Sequence, residues 1–330
     1  MTGAATRPGR SRRGGLAPRA TPTPGAGART AGIAAAVLAV ATVGLQIAYP
    51  PSSPATRSTL SVVTVLVFAA AGVADALRVG GVRAAGGLLA SGAVLGGAAE
   101  VLGVHTGWPF GAYAYTGTLG PQALGVPLVV PLAWTMATWP AWRVAGLIGA
   151  GASLGRRSRR WLRWLGGTWA LASWDLFLDP QMVAGGHWRW LHPRPALPGV
   201  DAIPLSNDLG WLLTAAVVVG ALEALVGRRL DPADPPGLVV GLLAGWTWIG
   251  GIVANAAFFH RPGVALVGGV AMGLVAIPVI QGQLAGRRPR APGERGSRLR
   301  PAAAHPLSRR PSGGAAATHG EDRRGGWESR

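Results

Sequence analysis

The 330-residue chain contains no cysteine and no lysine, and only 13 of its residues are acidic. Without cysteine, a disulfide framework, a thiolate metal site and a thiol nucleophile are all excluded. Charged residues make up 13% of the chain and hydrophobic residues 49%, which is not the balance of a soluble globular domain. The composition therefore indicates a protein embedded in a membrane.

The two ends of the chain differ from its interior. Segments 1–29 and 286–330 are rich in Arg, Pro, Gly and Ser, and contain too few apolar residues to offset the entropy of an ordered chain. They are predicted to be disordered basic tails that flank one transmembrane domain, 30–285. The net charge of +18 is compatible with nucleic-acid binding, but tails beside anionic lipid explain it better. We therefore expect anionic lipid and no nucleic acid as partners of the tails.

The interior contains eight apolar stretches of about the 20 residues that a helix needs to cross a bilayer. They cover approximately 31–49, 59–79, 82–104, 124–150, 161–180, 207–227, 237–258 and 263–284. This pattern predicts an all-α fold, a polytopic transmembrane helix bundle of about eight spans. The fourth stretch contains Pro127, Pro131 and Pro140, so it is either kinked or divided into two pieces. Six or seven spans also fit the pattern.

Arginine placement gives the orientation, because cytoplasmic loops are enriched in positive charge. With the amino terminus inside, the inner segments hold 26 of the 31 basic residues, all of which are arginines. The outer segments hold Arg57, Arg189, Arg194 and Arg261. We therefore expect a multi-pass protein of the cell membrane with both termini cytoplasmic and the two longest internal polar segments on the outer side.

Several carboxylates fall inside the predicted spans, where a charge at the bilayer centre costs on the order of 2.5–3.5 kcal/mol. Glu100, Asp175 and Asp179 lie near the outer ends of their helices and are the candidate catalytic residues. Asp175 and Asp179 are four residues apart and share one helical face. Two charged carboxylates in a poorly hydrated place repel each other, and one shared proton removes that repulsion. Asp179 also precedes Pro180, so it could serve only to shape the helix end.

Aromatic residues accompany these carboxylates in the outer half. The candidate substrate-binding residues are Trp108, Phe110, Tyr113, Tyr115, Trp134, Trp174, Asn207 and Trp211. Pro and Gly in "WPFGAYAY" would fold the aromatic rings over the helix ends, where they could line a cavity for a long apolar substrate or stabilise a cation. An interfacial aromatic belt is sufficient to explain Trp188 and Trp190.

Other polar residues suggest structural roles. His187, His192 and His260 do not have the spacing of metal ligands, and no HExxH motif occurs, so no metal site is predicted. Glu223 lies at the inner end of its span and is expected to form an ion pair with the neighbouring Arg228 and Arg229.

Three segments in order, 100–134, 173–190 and 203–213, resemble the integral-membrane carotenoid biosynthesis proteins. These include the bisanhydrobacterioruberin hydratase and gamma-carotene 1',2'-hydratase types, and the resemblance covers approximately residues 35–284. It implies addition of water to the terminal 1,2 double bond of a linear carotenoid in the bilayer, with no cofactor and with possible association with other carotenoid enzymes. The family usually has an aromatic residue where this chain has Asp208, and that departure bears on the substrate.

Under this resemblance, Asp175 supported by Asp179 is the expected acid, and Glu100 positions or deprotonates water; the two roles could also be exchanged. The walls expected to stabilise a tertiary carbocation are Trp174, Phe110, Tyr113 and Trp211. Two alternatives stay open. One is a membrane prenyltransferase whose Asp pair holds a metal and a diphosphate, and metal dependence would identify it. The other is a non-enzymatic carotenoid or lipid binder or a transporter, which would leave the pigment mass unchanged.

Overall fold

A computed structural model describes residues 25–148, 153–231 and 237–286. Within them the chain forms eight α-helices: α1 (Ala26–Ala48), α2 (Pro54–Leu89), α3 (Gly97–Thr106), α4 (Val130–Ala145), α5 (Arg156–Ala184), α6 (Leu205–Leu225), α7 (Leu238–Val253) and α8 (Pro262–Gly286). Two π-helical segments, Ala90–Gly96 and Ala254–Phe258, precede α3 and follow α7. Four short strands are β1 (Tyr113–Tyr115), β2 (Gln122–Ala123), β3 (Val126–Pro127) and β4 (Trp188–Trp190). The predicted all-α membrane bundle is confirmed.

Most residues of the two predicted tails lie outside the described residues, and so does their expected contact with anionic lipid. The exceptions are 25–29 and Gly286, and α1 begins at Ala26, four residues before the predicted start of the transmembrane domain.

Within the described ranges, five helical stretches are long and apolar enough to cross a membrane: Ala26–Ala48, Pro54–Thr106, Leu205–Leu225, Leu238–Phe258 and Pro262–Gln281. The 53-residue stretch leaves helical geometry at Gly81, where φ is 64° and ψ is −162°. A side chain with a Cβ rarely adopts this conformation, so glycine permits the break. Each side of the break exceeds the roughly 20 residues that a span requires, and together the two sides correspond to the predicted spans 59–79 and 82–104.

The predicted start of the fourth span is wrong, because α4 begins only at Val130. Before it, β2 and β3 pair as an antiparallel hairpin around Leu124 and Gly125, which have φ values of 53° and 79°. Two consecutive positive φ values are the geometry of a tight hairpin turn and are incompatible with a helix. The apolar letters of this segment suggested a membrane span although its backbone forms a turn.

The short helix α4 lies at the centre of the bundle. It packs against α2, α5 and α7, while α5 also packs against α6 and α8. The side chains of Trp134, Trp139 and Trp142 on α4 are almost completely buried. A 16-residue helix is about 24 Å long. This helix therefore holds the core together and is surrounded by the longer apolar helices.

The two long polar segments meet as a two-stranded ribbon. Strand β1 pairs antiparallel with β4, with Tyr113 opposite Trp190 and Tyr115 opposite Trp188. Side chains alternate along a strand, so these four rings point to one face while Ala114 and Arg189 point to the other and are exposed. The two segments thus lie on the same side of the bundle, and their pairing places an aromatic cover over the helix ends.

Candidate functional site

A cavity of about 200 Å³ lies beneath the β1–β4 ribbon, with walls from α1 to α7. Eight of the predicted site residues line it: Glu100, Phe110, Tyr113, Tyr115, Trp174, Asp179, Asn207 and Trp211. Most of the remaining wall is apolar. The fold therefore brings the two predicted carboxyl centres to one small space.

Glu100 is buried and accepts three hydrogen bonds. Its Oε2 accepts from the hydroxyls of Tyr113 at 2.5 Å and Tyr115 at 2.8 Å, and its Oε1 accepts from Trp134 Nε1 at 3.0 Å. A carboxylate has about four acceptor positions, so one remains for a further donor such as water. These three donors offset the cost of burying a carboxylate among apolar groups.

Small residues on the Glu100 helix allow these rings to approach it. A Cβ at Gly103 would lie 2.8 Å from the Phe110 ring and 3.0 Å from the Tyr113 hydroxyl, and a Cβ at Gly96 would collide with the Trp134 ring. Gly96 ends the π-helical segment that precedes α3. π-Helical turns are rare and are frequent at functional sites, because they change the direction of the following side chains.

Asp175 and Asp179 form the second carboxyl centre. Asn207 Nδ2 donates to Asp175 Oδ2 at 2.9 Å and to Asp179 Oδ2 at 2.5 Å, so one amide group bridges both carboxyl groups. All three side chains are buried, at 1–2% exposure. The pairing predicted from the four-residue spacing is present in the structure, and its bridging donor comes from the start of α6.

A chain of aromatic contacts lies in the cavity walls and directly behind them. Trp134 stacks on Trp211 with 4.1 Å between ring centroids, and Trp174 meets Trp211 edge to face at 5.9 Å. Phe110 packs edge to face against Tyr113 at 6.2 Å. These contacts hold several aromatic rings at a buried cavity, and a desolvated cation gains more from an aromatic face than an exposed one does.

Three predicted residues lie elsewhere. Trp108 is 59% exposed and does not contact the cavity, because the chain turns at Gly107 with φ 74° and directs the ring outward. Asp175 and Trp134 are buried behind the cavity wall, where they contact Asn207 and Glu100 respectively. The structure therefore does not bring Trp108 together with the other predicted residues at this cavity. Asp179 lines the cavity and Asp175 does not.

Sequence reasoning missed the second half of the ribbon. Trp188 and Trp190 are buried and line the cavity, so the interpretation as an interfacial belt is wrong for them. The signal was the period-two alternation in "YAY" and "WRW", which is typical of strands. Residues of α7, including Trp246 and Thr247, also line the cavity. Their apolar segment gave no sign of this role.

His187 and Glu223 have partners that the sequence did not indicate. His187 is buried and its Nδ1 lies 2.7 Å from Thr118 Oγ1, and burial lowers the pKa of His187 below its ordinary value. Glu223 pairs with Arg160 and Arg163, so the expected pairing with Arg228 and Arg229 is wrong. The partners come from α5, which packs beside α6, and this contact is not visible along the chain.

The two ribbon tyrosines keep their protons. Burial, followed by the charge of Glu100, raises the pKa of Tyr113 and of Tyr115 well above the ordinary value. Both hydroxyls therefore remain donors to Glu100 throughout the physiological range of pH.

Asp208 follows the bridging Asn207 and introduces a third carboxyl group near this site. In the described part of the chain, neither of its buried carboxylate oxygens has a hydrogen-bond partner. Among the described residues, no group of three or more His, Cys, Asp or Glu side chains is arranged to hold a metal ion.

Comparison with known proteins agrees with this architecture. A family model described as "Carotenoid biosynthesis protein" matches residues 59–277. The chain is similar to bisanhydrobacterioruberin hydratase from Haloarcula japonica, with 36% identity over 122 residues, which is 36% of this chain and 38% of the relative. The chain thus spans well under half of the length of this curated relative. No solved structure matches the chain significantly.

Proposed function

The chain belongs to the carotenoid biosynthesis protein family, and we propose that it adds water to the terminal 1,2 double bond of a linear carotenoid end group. The observation that carries the proposal is the presence of two separate carboxyl centres, Glu100 and Asp179, on the walls of one aromatic cavity. A hydration needs a proton donor and a proton acceptor at different points around the double bond. The similarity to a hydratase supports the same reaction class.

Asp179 is the proposed acid. It shares the Asn207 amide with Asp175, and a single proton held by the two carboxyl groups removes the repulsion between them. Asp179 transfers this proton to carbon 2 of the terminal double bond, and the electron pair of that bond forms the new C–H bond. Asp175 lies behind Asp179 and acts as a positioning residue.

The transfer leaves a tertiary carbocation at carbon 1, which the aromatic walls stabilise. Trp174 is on α5 with Asp179, Trp211 is on α6 and Tyr113 is on the ribbon, and all of them line the cavity. A desolvated cation over an aromatic face gains about 2 kcal/mol or more. The rings also exclude bulk water, so that the only water near the cation is the one that reacts.

Glu100 is the proposed base. Its surroundings consist of hydrogen-bond donors, and its one remaining acceptor position can take a hydrogen of a water molecule. The water oxygen bonds to carbon 1, and Glu100 accepts the proton that is released. One proton leaves Asp179 and one reaches Glu100, so return of a proton from Glu100 to the Asp pair completes the cycle.

The test is expression in a host that makes linear carotenoids, followed by mass spectrometry of the pigments. The wild type should add one or two molecules of water, and growth in ¹⁸O-labelled water should place the label in the new hydroxyl group. Asp179→Asn should lower hydration by about a hundredfold or more, since acid catalysis contributes roughly 10²–10⁴.

The matched control is Asp201→Asn, because Asp201 is an exposed carboxylate outside the cavity. It should hydrate like the wild type. Normal hydration by Asp179→Asn, or oxygen derived from O₂ instead of water, would contradict the proposal.

The proposed orientation places both termini in the cytoplasm, with residues 30–285 as one transmembrane domain. It is supported by the arginines at the start of α5, while the ribbon lies at the opposite end of that helix. Because the chain has no cysteine, single substitutions can report accessibility. Ala114→Cys should react with an impermeant maleimide in intact cells and Ser158→Cys only after permeabilisation; the reverse pattern would overturn the orientation.

A further inference from the structure

A second cavity adjoins the first. Its volume is about 520 Å³, and its walls come mainly from α4, α5, α7 and α8. Trp174 and Thr247 belong to the walls of both cavities. The first cavity follows α7 from Trp246 to Ala254, and the second follows the same helix back to Gly237. The two cavities therefore have a common wall at Trp174 and Thr247 and follow one another along the chain at α7.

The first cavity is too small for a whole carotenoid. Pockets that bury a drug-sized ligand have volumes of about 300–1,000 Å³, and the site cavity has about 200 Å³. It accommodates an end group and a few further carbons. The rest of a rigid polyene attached to that end group must leave the cavity in some direction.

The walls of the second cavity suit such a chain. The described residues of these walls have apolar side chains, aromatic rings or small side chains, and none of them is Asp, Glu or Arg. Gly241 and Gly245, one turn apart on α7, leave a strip of helix without side chains, and a Cβ at either position would meet no atom within 4 Å. The one hydroxyl, Thr247 Oγ1, donates to Leu243 O within its own helix. Nothing on these walls requires a polar ligand.

We propose that the second cavity holds the polyene portion of the carotenoid whose end group occupies the first cavity, with Trp174 and Thr247 at the junction. This inference rests on the proposed function, which places the end group in the first cavity and so sets the direction in which the polyene extends. Taken together, the walls of the two cavities extend from Gly237, directly before α7, to Ala254, directly after it, which is about 26 Å at the rise of an α-helix. A rodlike substrate along this segment would lie across much of the hydrocarbon layer.

The test fills the second cavity without touching the first. Gly241→Leu and Gly245→Leu add a side chain where the protein has free space, in a helix interior where leucine is a better helix former than glycine. Gly44→Leu is the matched control, because Gly44 is also a helical glycine whose added Cβ meets nothing, and it lines neither cavity. Each variant is purified in detergent, together with Asp179→Asn, which should retain unreacted substrate.

Two readouts are needed. In cells, the two filled variants should hydrate the carotenoid at least tenfold less than Gly44→Leu. On purified protein in the Asp179→Asn background, carotenoid absorbance should remain with the Gly44→Leu protein and be absent from the filled variants. A short acyclic isoprenoid alcohol with the same end group should still be hydrated by the filled variants, because it needs only the first cavity.

The outcomes separate this inference from the proposed function. If no variant hydrates the carotenoid, but only the filled variants lose bound pigment, the proposed polyene site is supported and the proposed hydration is contradicted. If the filled variants hydrate and retain pigment like the control, the second cavity holds bilayer lipid or nothing, and the inference is overturned. Absence of pigment from the Asp179→Asn protein itself also overturns it.

Discussion

Three tryptophans on α4 donate their indole N–H to carboxylates from three other helices. The three carboxylates differ in their other hydrogen-bond partners. The pairs are Trp134 with Glu100, Trp139 with Asp75 and Trp142 with Glu223. The last two lie away from the cavity and each includes arginine: Arg78 beside Asp75, and Arg160 with Arg163 beside Glu223. The first lies at the cavity, where two tyrosines take the place of arginine.

This difference distinguishes the two ion-paired carboxylates from Glu100, the base in the proposed reaction. An arginine cation fixes a carboxylate in its charged form and occupies both oxygens, as the Arg163 fork does with Glu223. Tyrosine hydroxyls compensate burial without supplying an opposite charge, and they leave Glu100 free to accept a proton. Indole N–H donors from one helix therefore serve two carboxylates that are paired with arginine and one carboxylate that is not.

The largest loss of stability should come from breaking the ion pairs of Glu223 with Arg160 and Arg163. Glu223→Gln leaves Arg163 buried without its opposite charge, and removing one partner of a buried pair costs about 3–5 kcal/mol. Thermal unfolding in detergent and the amount of protein in the membrane measure this loss. The matched Glu100→Gln should change unfolding little and instead lower hydration by about a hundredfold or more.

The proposed difference between Glu223 and Glu100 would be contradicted by a Glu223→Gln protein as stable as the wild type. It would also be contradicted by a Glu100→Gln protein that unfolds as readily as Glu223→Gln. Replacing Arg163 by Met together with Glu223→Gln should recover part of the stability, since buried ion pairs can often be replaced by apolar groups.

Glu223 and several other residues show what could and could not be predicted from the sequence. The existence of the helices follows from the length of apolar runs, and the Asp175–Asp179 pair follows from a four-residue spacing. Both are local properties. The partners of Glu223 and the inward direction of Trp188 depend on which helices and strands become neighbours, and no local pattern encodes that. The start of α4 was missed because apolar composition concealed the turn at Leu124 and Gly125.

A smaller loss of hydration activity is expected when the tyrosines that donate to Glu100 are replaced. Tyr113→Phe and Tyr115→Phe each remove one donor to the same oxygen, and a hydrogen bond to a charged group contributes about 1.5–3 kcal/mol. Each variant should therefore hydrate roughly ten- to a hundredfold more slowly, measured as the initial rate in membranes. The double variant should approach Glu100→Gln. Full activity in both single variants would show that the hydroxyls only fill space.

The smallest effect concerns the pH dependence of the ribbon. Because burial lowers the pKa of His187, the unfolded chain takes up a proton near pH 6.5 while the folded protein does not. Stability should therefore decrease as the pH falls below about 6.5. His187→Gln removes this contribution, so the difference in melting temperature between pH 8 and pH 5 should be smaller in the variant. An equal difference in both proteins would exclude a role for His187.

The order of the chain also orders the assembly of the site. Tyr113, Tyr115 and Trp134 follow Glu100 by 13, 15 and 34 residues, so a nascent chain can satisfy Glu100 before α5 has been synthesised. The Asp pair must wait for Asn207, which arrives 28 residues after Asp179. Each carboxyl centre is thus completed by the segment inserted next, and neither needs the carboxyl-terminal helices. During biosynthesis, the costly interval for each buried charge is limited to the time needed to make a few tens of residues.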